Sequence, residues 1–147
     1  MSRSRRMETV VRVRRLQDRV AEAEVARRHG AVREHVDGIE AAVDALSRHD
    51  ETSDDPLDDA RGLRRRDWSI RGAFDDIAHR HQLLQIAERA SDDALREWHA
   101  AHRRREAVER IAERQRLAAQ VAERQQEQKE LDDLVTTRHA RGEGLAS

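Results

Sequence analysis

Two runs of apolar residues step along the chain by four and three, one on either side of a single cluster of helix breakers. No other feature constrains the fold as strongly. The first run is Val32, Val36, Ile39, Val43 and Leu46; the second is Ile70, Phe74, Ile77, His81 and Leu84. Alternating steps of this kind keep one stripe of a helix turned toward a partner helix, the a/d repeat of a coiled coil. The breakers lie at His49 to Gly62, HDETSDDPLDDARG, and include the only proline, Pro56. The pattern predicts an all-α chain whose two long helices form an antiparallel coiled-coil hairpin, the second helix longer and overhanging.

Folding back at the acidic segment sets Val43 level with Ile70, Ile39 with Phe74 and Val36 with Ile77. Farther along, Leu16 falls near Trp98 and Val13 near Ala101, once a phase slip between Val20 and Val25 is allowed. The expected organisation is one hairpin over residues 1–147. Helix 1 covers about residues 7–48, an acidic loop 49–62, helix 2 about 63–138 and a fraying tail 139–147. At about 1.5 Å per residue the helices measure roughly 63 and 110 Å, so residues after about Ala107 have no partner within a simple hairpin. Val108, Ile111, Leu117, Val121, Leu131, Leu134 and Val135 continue an apolar stripe there. Such a stripe points to contact with another chain, because propensity alone stabilises an isolated helix weakly. Gly30 and Gly38 interrupt helix 1, each at a cost of about 1 kcal/mol against alanine.

Composition supports a thin seam over a globular core. Of 147 residues, 40% are charged and 2% aromatic, and tyrosine is absent. A compact core of this length draws on more aromatic and apolar side chains. Disorder is the competing reading of so polar a chain, and the apolar periodicity argues against it. With no cysteine, disulfides and thiolate metal sites are excluded. No stretch approaches the roughly 20 apolar residues of a membrane span, and the basic start has no apolar signal core, so a cytoplasmic protein is expected.

The net charge of −1 gives no overall pull toward nucleic acid or anionic lipid. Six arginines crowd residues 3–15: Arg3, Arg5, Arg6, Arg12, Arg14 and Arg15. In the hairpin they approach Arg103, Arg104 and Arg105, making a positive zone suited to an acidic protein face. Nucleic-acid binding is the weaker alternative, since no aromatics interleave to stack bases. The paired histidines His79/His81 and His99/His102 lack a completing carboxylate pattern and read as solvated or seam residues. No phosphate loop, catalytic triad signature or dinucleotide fingerprint occurs, so neither an enzyme nor a bound cofactor is expected. Trp98 falls on the seam and reads as core. Trp68, off the seam beside Arg64, Arg65 and Arg66, reads equally as a contact residue or as a solvated one.

Three segments carry a family resemblance: RVRRLQDRVAEAE at Arg12 to Glu24, RREAVERIAERQR at Arg104 to Arg116, and QQEQKELDDLVTTR at Gln125 to Arg138. Together with the single hairpin, the chain resembles the FliJ family of flagellar type III export proteins. The resemblance implies a cytoplasmic stalk, peripheral to the membrane through its partners alone. Family members insert their paired terminal helices into the hexameric export ATPase, like the shaft of a rotary ATPase. They also contact the cytoplasmic domain of an export-gate membrane protein and bind export chaperones. Carried onto this chain, ring docking falls to Arg12, Arg14, Arg15, Gln125, Gln128, Lys129, Glu130 and Asp133. The gate face falls to Ile70, Phe74, Ile77 and His81, with Ile39, Val43 and Leu46 beside them. The chain departs from the family by lacking tyrosines near that face and by its acidic loop. The expectations also collide, because the gate residues are those assigned to the seam.

Overall fold

A computed structural model describes residues 3–51 and 60–144. Two helices account for all of them: α1, Arg3–Glu51, and α2, Ala60–Gly144. They pack against each other as a hairpin, with α2 the longer at 85 residues against 49. Neither contains proline, and Arg, Glu, Gln and Ala supply high helix propensity throughout. Pairs one turn apart reinforce them: Arg27 and Arg28 both bind Glu24, Arg80 binds Asp76, and Arg116 binds Glu113.

Both helices run past the expected ends. His49, Asp50, Glu51 and Ala60 to Gly62, assigned to the loop, are helical, as is the expected fraying segment up to Gly144. The remainder of the expected loop lies outside the described residues. Glycine stops neither helix, since no glycine among the described residues takes a positive φ. The chain divides into two compact units, Leu16–His102 and Met1–Arg15 with Arg103–Ser147.

Within Leu16–His102 the inward rows are not quite those the apolar spacing suggested. On α1 the least exposed stripe is Asp18, Ala21, Val25, Val32, His35, Ile39, Ala42 and Leu46; on α2 it is Ile70, Ala73, Ile77, Arg80, Leu84, Ala87, Ser91, Ala94, Trp98 and Ala101. Val32, Ile39, Leu46, Ile70, Ile77 and Leu84 keep their expected places. Val36, Val43, Phe74 and His81 stand outside the seam, and His35, Ala42, Ala73 and Arg80 take their positions. Leu16 and Val20 are also off it, at 61% and 63% exposure, and no phase slip separates Asp18, Ala21 and Val25.

The register is shifted as well. The Asp18 carboxylate meets His102 Nδ1 at 3.4 Å, the Ser91 hydroxyl meets His29 Nδ1 at 3.3 Å, and the Arg80 guanidinium lies over Gly38. These contacts set Ile39 level with Arg80 instead of Phe74, a displacement of about six residues, or roughly one and two-thirds turns. The physical reason is steric. In the observed register Val25 falls level with Ala94, Val32 with Ala87, Ala42 with Ile77, Leu46 with Ala73 and Ala21 with Trp98. Each of these five layers joins a large side chain to a small one, which fills the space between helices without overpacking, while Ile39 with Arg80 and His35 with Leu84 pair two large side chains. The expected register would have set Ile39 against Phe74, and Val36 against Ile77.

Within Met1–Arg15 and Arg103–Ser147, Met7, Val11 and Arg14 face inward on α1, and Arg105, Val108, Ala112 and Gln115 on α2. Val13, expected on the seam, is 46% exposed. The unpartnered part of α2 starts later than expected, because α1 begins at Arg3. Glu109 still binds Arg15 at 2.7 Å, and every residue from Arg116 to Gly142 is exposed.

Candidate partner-binding surfaces

The displaced seam residues form the first surface, all of it within Leu16–His102. In the α1 repeat, Val36 and Val43 each follow directly after a small or polar seam residue, His35 and Ala42. In the α2 repeat, Phe74 and His81 follow Ala73 and Arg80 in the same way. Positions of this type on two antiparallel helices flank the seam on one side. They are open to solvent, with Val43 43% and Phe74 59% exposed. The seven residues expected at the gate therefore separate by accessibility. Ile39 is buried at 9%, Leu46, Ile70 and Ile77 are half-buried in the seam, and Val43, Phe74 and His81 are exposed. Four of the seven are thus taken up by the seam, and the other three are left on the surface.

The second surface is on α2 within the other unit. Gln125, Gln128, Lys129, Glu130 and Asp133 are all exposed, and their polar side chains brace the helix. Gln126 donates to Glu130 and Gln128 to Asp132, both at 3.0 Å. Leu117, Val121, Leu131, Leu134 and Val135 are between 48% and 67% exposed on the same stretch. Arg12 is exposed, Arg14 is half-buried, and Arg15 donates from Nε to Glu109. Among the described residues nothing brings the three arginines to the Gln125–Asp133 block, because Glu109 lies about 24 Å short of Gln125 along the helix. The expected positive zone is likewise reduced, with Arg15 committed to a carboxylate.

Sequence reasoning missed the polar interior. Asp18 is 4% exposed and Ser91 7%. Beside Asp18's partner, Trp98 packs its ring 5.5 Å from His102 and 5.0 Å from His99, so Trp98 belongs to the half-buried seam as expected. Trp68 is 82% exposed. His79, His81 and His99 are exposed, and no group of three or more metal-ligating side chains occurs among the described residues. Two exposed carboxyls sit below the usual range: Glu24, through hydrogen bonds from Arg27 and then Arg28, and Glu113, through Arg116. Both are local helix braces. No described helix is long and apolar enough to cross a membrane.

No curated protein and no solved structure gives a significant match. A family model described as flagellar FliJ protein matches residues 3–144, nearly the whole chain. A hairpin of unequal helices, rich in exposed apolar and charged positions, is what that match spans. The chain belongs to the FliJ family and is a flagellar export-related protein.

Proposed function

We propose that this protein is a stalk and adaptor of the flagellar export apparatus, linking the hexameric export ATPase to the export-gate membrane protein and receiving export chaperones. The observation that carries the reading is the exposed set Val43, Phe74 and His81, lying beside a seam that leaves them unused. A phenylalanine 59% exposed on a charged helix is an apolar group without a burial partner among the described residues, as a docking residue would be. Leu46, Ile70 and Ile77 lie in the half-buried seam next to them in sequence register, and Ile39 is buried.

The ATPase ring would take the other unit, through Gln125, Gln128, Lys129, Glu130 and Asp133, with Arg12 and Arg14 contributing from α1. Arg15 would first have to leave Glu109. Both docking events place the chain in the cytoplasm, peripheral to the membrane through its partners alone. The role calls for binding, with no bond made or broken.

The test is a pair of binding measurements on the full chain. Phe74→Ala with His81→Ala should abolish binding to the gate's cytoplasmic domain and leave ATPase binding intact. Gln125→Ala with Lys129→Ala should do the reverse. Unchanged affinity in both arms would overturn the assignment.

A further inference from the structure

The exposed stripe on α2 has a symmetry that the docking role does not need. From Leu117 the helix presents Leu117, Val121, Arg124, Gln128, Leu131 and Val135 at steps of 4, 3, 4, 3 and 4, every one exposed. The intramolecular seam ends at Gln115, on the opposite side of the helix by about 200°. The stripe is therefore a second a/d row without a partner among the described residues.

We propose that this row pairs with the same row of a second copy of the chain, antiparallel, over Leu117 to Val135. Turned end for end, the row matches itself by residue type. Leu117 meets Val135 of the second copy, Val121 meets Leu131, and Arg124 meets Gln128, each pair occurring twice. The charge pattern selects this occupant and this orientation. A parallel pairing would stack Arg124 on Arg124 in the middle of an apolar row, an unfavourable like-charge contact. Antiparallel pairing sets each guanidinium against a neutral amide. Gln128 already donates from Nε2 to Asp132, which leaves the amide oxygen to accept the guanidinium. The flanks carry both signs, with Glu123, Glu127, Glu130, Asp132 and Asp133 beside Lys129 and Arg138, so acids outnumber bases there. The zipper would be about 27 Å long. That is short for a coiled coil, so the dimer forms reversibly and competes with other occupants of the same face.

The chain has no cysteine, so engineered thiols report the pairing cleanly. Full-length Val121→Cys and Leu131→Cys proteins are oxidised separately and as an equal mixture. The mixture should give a cross-linked dimer joining one variant to the other, while neither variant alone links to itself. In parallel, sedimentation equilibrium of the unmodified chain should show mass doubling with concentration, and Leu131→Asp should weaken it by at least about tenfold. Arg124→Gln, which keeps the helix and removes the charge, should permit parallel pairing and self-linking at either thiol. A monomer at every concentration overturns the proposal, and so does self-linking of each single variant in the Arg124 background. Loss of gate or ATPase binding plays no part in this test, so the two readings stand or fall separately.

Discussion

The Asp18 carboxylate, almost wholly buried on α1, lies 3.4 Å from Nδ1 of His102 on α2, in a seam built mainly from alanine and aliphatic side chains. A buried polar pair of this kind ties register to chemistry, because sliding the helices separates the two groups. His102→Ala should lower stability by about 1–2 kcal/mol, a modest figure because the imidazole keeps 35% of its surface in water. Replacing both residues by leucine should recover that loss or exceed it. Urea denaturation followed by circular dichroism reads both values. A stable single variant would remove the pair from the account of register.

Glycine inside a helix offers a separate test. A Cβ built on Gly30 or Gly72 meets nothing within 4 Å, so alanine at either should raise stability by about 0.5–1 kcal/mol. At Gly38 the new carbon would sit 3.1 Å from Arg80 Nη1, and Arg80 is already held by Asp76 at 2.9 Å. Gly38→Ala should gain less than the other two, or lose stability. Denaturation midpoints rank the three.

Phe74 and Ile39 should respond oppositely to truncation. Phe74→Ala removes a side chain that packs little, and should change stability by less than about 0.5 kcal/mol while weakening partner binding. Ile39→Ala opens the interior and should cost about 2–4 kcal/mol. If Phe74→Ala unfolds the protein, the exposed face is wrong.

Acid should act through Glu24 and Glu113. The folded state holds both carboxyls below their ordinary value of 4.5, through arginine hydrogen bonds. A depressed folded value means the stabilisation is present above the unfolded-state value and is lost as pH falls through the folded one. Helicity should therefore begin to fall just below pH 4.5. The fall should shrink in high salt, since both sites are open to solvent. Glu24→Gln should remove part of that acid limb, and carboxyl NMR titration tracks each site directly.

The hairpin was legible because Val32, Ile39, Leu46, Ile70, Ile77 and Leu84 recur at heptad intervals and a breaker cluster parts them. The residues between them were not. From any of those anchors, a step of four followed by three and a step of three followed by four give equally regular rows. Hydropathy favoured Val36 and Phe74 over His35 and Ala73, although packing takes His35 and Ala73. A row alternating large with small was visible in Val25, Val32 and Leu46 opposite Ala94, Ala87 and Ala73, but alanine adds almost nothing to an apolar pattern. Asp18 gave no apolar signal at all. For the first candidate surface the same ambiguity worked in reverse, since Val36, Val43, Phe74 and His81, chosen as core by spacing, were left in solvent.

The large-against-small seam has a mechanical corollary. Shifting one helix by seven residues keeps the same stripes facing each other but sets Val32 against Arg80 instead of Ala87, so the size match is partly lost. The polar groups add to that penalty. One such step sets the Asp18 carboxylate beside the methyl group of Ala94, where no donor awaits it. Sliding by one repeat is therefore opposed both by lost size matching and by a stranded carboxylate, which holds the two helices of Leu16–His102 in one setting.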